Sequence, residues 1–276
     1  MKHKIPLAGV IGDPIAHSKS PRLHGHWLQR YGLQGDYVPL HVETDDLETV
    51  LRSMPKMGFV GANVTLPHKI HALKIADQVS ERARLIGAAN TLTFLDDGQI
   101  FADNTDGYGF MANLEQGAPD WDPTAGPALV LGAGGASRAI IVALMNAGVP
   151  QIFLSNRTRS KADDLRAEFG ARITVIDWAQ IGDYVNTVAT LVNTTSLGMT
   201  GQPQLQLPLD GLRADTLVTD IVYTPLETPL LTQAKAAGCT TVDGLGMLLH
   251  QGVPGFERWF GQKPSVDDAT RKAVLG

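Results

Sequence analysis

The sequence predicts an α/β protein of two domains, and three observations support that prediction. Apolar runs typical of buried strands alternate with helical stretches, a pattern that favours mostly parallel sheets. Residues 117–127, with three prolines and two glycines, have the composition of a linker. Beyond them, a glycine-rich loop stands between a strand and a helix. A chain of 276 residues is long enough for two domains of ordinary size.

Composition excludes several classes of protein and of site. With 43% apolar and 18% charged residues, the chain is typical of a folded soluble protein. Its net charge of −5 comes without a basic tract, so no nucleic acid partner is expected. The single cysteine, Cys239, excludes an internal disulfide and a multi-cysteine metal site. The apolar run near the N-terminus is too short for a signal peptide or a membrane helix, which predicts a cytoplasmic protein without membrane contact.

In the first half, capping residues and prolines set the predicted helix boundaries. Ser20 is expected to cap a helix that has Pro21 at its first position, and Thr44 to cap the next helix. Pro67 is expected in the first turn of a third helix. This helix and the two that follow are predicted at His68–Ile75, Val79–Leu85 and Tyr108–Glu115. Strands are predicted at Leu7–Ile11, Tyr37–Val42, Leu92–Leu95 and Ile100–Ala102.

Polar side chains collect at the ends of these predicted strands, where α/β proteins bind ligands. Ser18 and Ser20 follow the first strand, and two hydroxyls beside a helix N-terminus can seat a carboxylate. Helix capping is the simpler explanation of the same serines. Asn63 and Thr65 share one face of an extended strand, and Lys69 follows in the next turn. Together, an amide, a hydroxyl and an amine can bind a small polyol and transfer a proton. The alternative is that Lys69 is an ordinary surface lysine.

The second half opens with a unit typical of dinucleotide binding. Gly132 and Gly134 match the first two glycines of the motif. Ser137 stands at the third position, where a small residue still permits close packing of helix on strand. The strand, helix and second strand of this unit are predicted at Ala128–Leu131, Ala139–Ala147 and Gln151–Ser155.

Cations follow the second strand of this unit, in the run 156–159 and at Lys161. An enzyme that prefers NAD normally has an acidic residue here for the ribose 2′-hydroxyl. No acid precedes Asp163, and Arg157 can bind a 2′-phosphate through two hydrogen bonds. A solvated basic helix start is the alternative, but cations at a helix N-terminus oppose the helix dipole. The sequence therefore predicts NADP(H) as the cofactor.

The remaining elements complete the second domain and return to the first. Polar strand ends at 192–199 and 220–225 are expected to face the cofactor, and Thr228 to cap the helix that follows. A helix at Gly244–Phe260 presents Met247 and Gln251 on one face. Further strands are predicted at Ile173–Ile176, Thr187–Val192, Thr216–Ile221 and Thr241–Asp243, and a last helix at Val266–Val274.

Taken together, these motifs resemble those of the shikimate dehydrogenase family nearly end to end. Nine segments in the family's order carry the resemblance: 17–21, 63–69, 89–91, 104–107, 132–136, 156–158, 193–196, 220–223 and 246–251. Two matches are looser, because Thr194 stands where alanine is common and Val253 follows Gln251-Gly252 in place of alanine. Neither difference removes a polar group.

The resemblance implies reversible NADP-dependent reduction of 3-dehydroshikimate to shikimate, by an oxidoreductase of the route to chorismate and the aromatic amino acids. It implies a substrate domain of residues 1–105, completed by 244–276, and a Rossmann-type NADP-binding domain of residues 106–243, with a cleft between them. Lys69 and Asp106 would be the catalytic pair. Substrate contacts would be Ser18, Ser20, Asn63, Thr65, Lys69, Asn90, Asp106, Tyr223 and Gln251. Cofactor contacts would be Gly132, Ala133, Gly134, Gly135, Ala136, Asn156, Arg157, Thr158, Lys161, Thr195, Ser196, Met199, Val222, Gly244 and Met247.

The chemistry of the reaction agrees with a lysine at its centre. Hydride addition to a ketone leaves negative charge on oxygen, and a protonated amine can stabilise that charge and deliver a proton. A lysine amine is mostly protonated at neutral pH, and a neighbouring carboxylate favours that charged form. Asp106 is therefore expected to orient Lys69 and to bind a substrate hydroxyl.

There are three alternatives. The first is a metal site, which is not expected because no carboxylate or cysteine completes a ligand set around His68 and His71. A quinate-oxidising enzyme that uses NAD is the nearest alternative activity, although Ser20 and Arg157 favour shikimate and NADP. A catalytically silent metabolite-binding module is the alternative from another class. The chain is expected to be a monomer or a homodimer that acts on a small molecule.

Overall fold

The structure, a computed structural model, describes residues 5–276. The chain divides into two compact units. The first takes in the described residues up to Gly109 together with Leu248–Gly276, and the second is Phe110–Met247. Each unit is built on one six-stranded sheet. The predicted α/β class is therefore confirmed.

The first sheet combines parallel and antiparallel strands. Its strands are β1 (Leu7–Gly12), β2 (Asp36–His41), β3 (Phe59–Val64), β4 (Gln78–Val79), β5 (Thr91–Phe94) and β6 (Ile100–Asp103), in the spatial order β2-β1-β3-β5-β6-β4. β1 pairs in parallel with β2 and β3, and β4 pairs in parallel with β6. β5 is antiparallel to both of its neighbours, β3 and β6. A tight turn at Gly98 (φ +85°) joins β5 to β6 and accounts for the second of these pairings.

Both faces of this sheet are covered, because alternate residues of a strand point to opposite sides. Ile11 packs on one face, with Ala62, Leu92 and residues of the helix that follows β2. Its neighbour Val10 packs on the other face, against Tyr37 and Trp259. The apolar character of β1 along its whole length follows from this double burial.

The second sheet is entirely parallel. Its strands are β7 (Ala128–Leu131), β8 (Ile152–Ser155), β9 (Ile173–Val175), β10 (Thr190–Asn193), β11 (Leu217–Asp220) and β12 (Thr240–Val242). The spatial order β9-β8-β7-β10-β11-β12 is the order of a Rossmann sheet. Successive strands are added on one side of β7 up to β9 and on its other side from β10 onward, so the strand order reverses between β7 and β10. The predicted Rossmann-type unit is confirmed. Cys239 lies buried just before β12, as the sequence indicates for a small apolar residue.

Eleven helices connect or flank these strands within residues 5–276. They are α1 (Ser20–Arg30), α2 (Leu47–Ser53), α3 (Lys69–Ile75), α4 (Glu81–Ile86), α5 (Asp106–Gly117), α6 (Gly135–Asn146), α7 (Arg159–Phe169), α8 (Ile181–Tyr184), α9 (Pro229–Ala236), α10 (Leu245–Phe260) and α11 (Asp268–Leu275). In this part of the chain, none has the length and apolarity that crossing a membrane requires. The predicted cap of α9 is confirmed, because the Thr228 side chain accepts a hydrogen bond from the Leu231 N–H.

Five predicted helix starts are wrong. α6 begins at Gly135, four residues before the predicted Ala139. Each of the other four differs for a local reason. Lys19 already has helical dihedral angles, so Ser20 lies inside α1 and its side chain caps nothing. Thr44 begins a short 3₁₀ turn, and α2 starts only after that turn. Pro67 precedes α3 instead of lying in its first turn, because the helix begins at Lys69. Val79, predicted as helical, pairs with β6 as part of β4, and Ser80 caps α4.

Replacement of Gly61 by alanine should destabilise the first unit. A Cβ atom at this position would lie 1.9 Å from Nε1 of Trp259 and 2.4 Å from the carbonyl oxygen of Leu92. These two atoms already share a hydrogen bond of 3.0 Å, so neither can move freely. We expect Gly61→Ala to lower the free energy of unfolding by about 2–3 kcal/mol in urea denaturation. Gly25→Ala is the matched control, since a Cβ there meets no atom within 4 Å; it should raise stability by about 0.5–1 kcal/mol. An equal effect of both substitutions would contradict the steric argument.

Candidate active site

The strand register of the first sheet places several predicted substrate residues at one edge. Asn63, near the end of β3, is paired with Thr91 at the start of β5, and Thr91 is paired with Asp103 at the end of β6. Because β5 is antiparallel to both neighbours, its start lies beside their ends. Asn90 immediately precedes β5, and Asp106 lies three residues after β6. The register therefore accounts for the meeting of residues that are far apart in the sequence.

Lys69 and Asp106 form an ion pair at this edge. The distance from Lys69 Nζ to Asp106 Oδ2 is 2.6 Å, and the two side chains are 14% and 6% exposed. Lys69 is the first residue of α3, and Asp106 is the first residue of α5. A carboxylate at a helix N-terminus is stabilised by the helix dipole. The structure thus brings the two predicted catalytic residues together in a largely buried place.

Asn90 connects this ion pair to Gln251. Its Nδ2 donates to Asp106 Oδ1 at 2.8 Å and to Gln251 Oε1 at 3.1 Å. Its Oδ1 accepts from the Thr105 N–H at 2.8 Å and from the Thr91 hydroxyl at 2.9 Å. The side chain is only 2% exposed, and both of its polar atoms are engaged within the protein. In this arrangement Asn90 orients Asp106 and Gln251.

Two residues that the sequence reasoning missed support this network of hydrogen bonds. Asn104 Oδ1 accepts from the Asp106 N–H at 3.0 Å, and its Nδ2 donates to the Ala88 carbonyl at 2.9 Å. Thr105 donates through its hydroxyl to the Gln251 carbonyl at 2.8 Å. Asparagine and threonine directly before a helix commonly serve as caps. That position in the sequence was the signal that could have identified both.

The serines after β1 and the threonine after β3 come to the same edge, because these strands are paired in parallel. Ser18 is half-buried, and its Oγ accepts from the Ser20 N–H at 3.3 Å. Thr65 is half-buried, and its N–H donates to the Ile11 carbonyl at 2.9 Å. A Cβ atom at Gly12 would lie 2.6 Å from Thr65 Cγ2, so glycine permits this close approach. Hydroxyls therefore line the ends of both strands.

In the second unit, the glycine loop follows β7 at the point where the strand order reverses. Gly132 has φ +107°, and a Cβ atom there would lie 2.7 Å from Thr194 Oγ1. Gly134 is the residue before α6, so no side chain caps the start of this helix. A Cβ atom added to Gly134 would meet no atom within 4 Å. The first N–H groups of α6 therefore face a region that a phosphate group can approach closely. The Ala133 N–H donates to Asn156 Oδ1 at 3.1 Å, which ties the loop to the end of β8.

The cations after β8 fall into two kinds. Arg159 forms ion pairs with Asp163, at 3.7 Å, and with Asp177. Arg157 and Lys161 are exposed, and neither forms an ion pair with any residue that the structure describes. Two of the three cations near the start of α7 are thus available to a bound anion. Thr158, between the arginines, is exposed at the residue before this helix.

A buried amide–carboxylate pair supports the ends of β10 and β11. Asn193 donates from Nδ2 to Asp220 Oδ1 at 2.9 Å, and its Oδ1 accepts from the Thr195 N–H and hydroxyl at 3.0 and 2.7 Å. Asp220 accepts from the Val222 N–H at 3.0 Å and the Thr228 hydroxyl at 2.8 Å. Burial raises the pKa of Asp220 to about 6, because all of these partners are neutral. Thr195 and Val222, two predicted cofactor contacts, depend on this pair, which the sequence reasoning missed.

The remaining predicted residues of the second unit differ in their surroundings. Ser196 and Met199 are exposed, whereas Met247 is buried in the apolar core beside β12. Gly244 is buried too, and a Cβ atom there would lie 2.4 Å from the Ile221 carbonyl oxygen, which is reason enough for glycine. Tyr223 is half-buried, and burial raises the pKa of its phenol. The predicted ligand contacts of these residues stay predictions. Gly135 and Ala136, in the first turn of α6, are half-buried.

Family models cover most of the chain. Residues 10–92 match the model described as the shikimate dehydrogenase substrate binding domain. Residues 122–199 match the shikimate / quinate 5-dehydrogenase model, and residues 244–275 match the shikimate 5′-dehydrogenase C-terminal domain.

Individual relatives and solved structures agree with these matches. The chain is 66% identical to a shikimate dehydrogenase (NADP(+)) of Roseobacter denitrificans, over 99% of each chain. It is 63% identical to the protein of the same name in Paracoccus denitrificans, over 98% of this chain and 96% of that one. Shikimate 5-dehydrogenase of Thermus thermophilus, solved with NADP(H) and shikimate, is 36% identical over 98% of each chain, with a TM-score of 0.87. Quinate dehydrogenase of Corynebacterium glutamicum, solved with NAD, is 32% identical over 98% of each chain, with a TM-score of 0.90.

The raised pKa of Asp220 predicts how its replacement changes the pH dependence of stability. Its carboxyl group has a pKa of 3.8 ordinarily and about 6 in the folded protein, so folding favours the protonated form. Its stabilising contribution is present in full below pH 3.8 and is lost as the pH rises through about 6. Asp220→Asn cannot titrate. The free energy of unfolding of the variant minus that of the wild type should rise across this window, by about 1.4 kcal/mol for each pH unit.

Urea denaturation at several pH values from 4 to 7 measures this difference. Asp210→Asn is the matched control, because Asp210 is an exposed carboxylate of the same unit. The rise with pH should be larger for Asp220→Asn than for this control. A difference for Asp220→Asn that stays constant with pH would refute the assignment.

Proposed function

The chain belongs to the shikimate dehydrogenase family, and we propose that it catalyses the reversible, NADPH-dependent reduction of 3-dehydroshikimate to shikimate. This reaction is a step of the route to chorismate and the aromatic amino acids. The observation that carries the proposal is the Lys69–Asp106 pair, largely buried and held by Asn90, at a sheet edge that also presents hydroxyl and amide groups. The NADP-dependent shikimate dehydrogenases that are 62–66% identical over nearly the whole chain support it.

We assign substrate binding to residues 1–105 with 244–276, and NADP(H) binding to residues 106–243. Support for the first assignment comes from the match of residues 10–92 to a substrate binding domain. Support for the second comes from the Rossmann strand order and the glycine loop at the point of reversal. We further propose a cytoplasmic location and a monomeric or homodimeric state, as the sequence predicts.

Substrate recognition divides between a carboxylate and several hydroxyl groups. Ser18 and Ser20 supply hydroxyl donors beside the N-terminus of α1, where the helix dipole favours an anion. Tyr223 is assigned to the same carboxylate. Asn63 and Thr65 are assigned to the hydroxyl groups of the ring. Asn90 and Gln251 are assigned to the same hydroxyl groups.

Lys69 is assigned the proton chemistry. NADPH, when bound, would supply a hydride to the carbonyl carbon, which would leave negative charge on the carbonyl oxygen. The ammonium group of Lys69 stabilises that charge and delivers the proton to the oxygen. Asp106 holds Lys69 through Oδ2, and Asn90 holds Asp106 through Oδ1. The Asp106 carboxylate is assigned to orient Lys69 and to bind a substrate hydroxyl.

The second unit fits a dinucleotide phosphate. The open space at Gly134 and the uncapped start of α6 suit the pyrophosphate, with Gly132, Ala133, Gly135 and Ala136 lining the loop. Asn156, Arg157, Thr158 and Lys161 are assigned to the ribose end, where the two unpaired cations suit a 2′-phosphate. Thr195, Ser196, Met199, Val222, Gly244 and Met247 are assigned to the rest of the cofactor.

The central test is a matrix of initial rates with shikimate or quinate, each with NADP or NAD. We expect the highest specificity constant for shikimate with NADP. A higher value for quinate with NAD would overturn the proposal in favour of quinate oxidation. Binding of shikimate without turnover would favour a silent binding module.

Arg157→Ala, measured in the same matrix, tests the 2′-phosphate assignment. Charge-assisted hydrogen bonds to the phosphate would be lost, so the KM for NADP should rise by roughly ten- to a hundredfold. The KM for NAD should change little, because NAD lacks that phosphate. Arg166→Ala removes an equal charge from the other end of α7 and should leave both constants unchanged. Equal effects of Arg157→Ala on the two cofactors would refute the assignment.

Lys69→Ala tests the proton donor. Without the ammonium group, kcat should fall by roughly 10²–10⁴-fold, the usual contribution of general acid–base catalysis. Affinity for NADP, followed by fluorescence titration, should stay close to the wild-type value. Lys74→Ala removes the same charge from an exposed position of the same helix and should leave kcat unchanged. Survival of turnover in Lys69→Ala would show that another group moves the proton.

A further inference from the structure

Tyr37, on β2, has a ring packed against two aromatic side chains and a hydroxyl that reaches the residues assigned to the substrate. Its ring stacks on His24, with centroids 3.9 Å apart and planes at 3°. Trp259 packs against it at 6.2 Å. His24 is fully buried, and burial lowers its pKa to about 3, so the imidazole is neutral and serves as an aromatic surface. These contacts restrict the orientation of the Tyr37 ring and therefore the position of its hydroxyl group.

The Tyr37 hydroxyl is a fixed proton donor to Asn63. The distance from Tyr37 Oη to Asn63 Oδ1 is 2.7 Å, a short and fully buried hydrogen bond. Burial raises the pKa of Tyr37 well above its ordinary value, and a hydrogen bond with Ser20 opposes this shift only in part. The phenol thus stays protonated at neutral pH. One hydroxyl contacts both Ser20, assigned to the substrate carboxylate, and Asn63, assigned to the ring.

The amide of Asn63 has a single orientation as a result. Its Nδ2 donates to the Asn90 carbonyl at 3.1 Å and to the Thr91 hydroxyl at 3.2 Å. Both amide protons are therefore committed to the protein. Oδ1 carries two lone pairs, of which Tyr37 occupies one. Asn63, at 4% exposure, can offer a ligand only the second lone pair, as an acceptor.

We propose that Tyr37 is a positioning residue, which holds Asn63 so that its amide oxygen accepts a hydrogen bond from a substrate hydroxyl. The inference rests on the proposed function and adds the direction of one hydrogen bond: the substrate hydroxyl donates, and the Asn63 amide oxygen accepts. A carbonyl or ether oxygen at the same place on the substrate would meet the amide oxygen and be rejected. Tyr37 does not touch the substrate in this arrangement and acts through Asn63 alone.

Tyr37→Phe removes the hydroxyl and leaves the stacked ring in place. Loss of one buried hydrogen bond that orients the contact should raise the KM for shikimate by roughly tenfold. The kcat and the KM for NADP should stay within about twofold, because the Lys69–Asp106 pair is untouched. Tyr31→Phe is the matched control: it removes a phenol hydroxyl that bonds to Ser265 in the same unit, and both kinetic constants should be unchanged.

A double-mutant cycle separates positioning from a general loss of structure. If Tyr37 acts through Asn63, the effect of Tyr37→Phe on the KM for shikimate should vanish in an Asn63→Ala background. Thermal melting checks that each variant is folded. An unchanged KM in Tyr37→Phe, or the same tenfold rise in the Asn63→Ala background, would overturn the inference while leaving the proposed function intact. A wild-type protein without activity on shikimate would overturn the proposed function, and this inference with it.

Discussion

The arrangement of the candidate active site depends on the register of β5 between β3 and β6. The pairings of Asn63 with Thr91 and of Thr91 with Asp103 place two strand ends and one strand start at the same edge. A slip of one residue would turn Asn63 to the opposite face of the sheet. The register is stabilised on both faces, because Ala62 and Leu92 belong to one apolar core and Trp259 bonds to the Leu92 carbonyl from the other. Packing of the sheet thus determines where the chemistry can occur.

Buried amides convert this register into fixed side-chain positions. Asn63 and Asn90 are almost fully buried, and an unpaired amide there would carry a desolvation cost. Each therefore uses its polar atoms within the protein, and the resulting hydrogen bonds run from Tyr37 through Asn63 to Asn90 and Asp106. A fully satisfied network of this kind is rigid, so Lys69 meets a carboxylate whose orientation exists before any ligand binds. Preorganised groups avoid a reorganisation cost during the reaction.

The sequence allowed prediction of most strands, the glycine loop and the residue types at strand ends, because burial and backbone geometry restrict these locally. The start of α1 was mispredicted because the helical conformation of Lys19 leaves no mark on residue type. Long-range partners were equally hidden. Thr105 and Gln251 are 146 residues apart, and only the folded chain shows that the hydroxyl of one donates to the carbonyl of the other. Likewise, periodicity placed Met247 and Gln251 on one helix face, yet Met247 lies in an apolar core and Gln251 in a polar network.

Three aspartates at the ends of strands or starts of helices show how the partners of a carboxylate determine its use. Burial raises the pKa of Asp103, but hydrogen bonds from Arg82, at 2.6 Å, and Ser80 outweigh it and lower that pKa. Asp220 has neutral partners only, and its pKa rises to about 6. Asp106 has one ammonium and one amide as partners, and each engages a different oxygen. A second cation beside Asp106 would compete with Lys69 for the same oxygens. The amide of Asn90 fixes Oδ1 and leaves Oδ2 to the amine that is assigned the proton transfer.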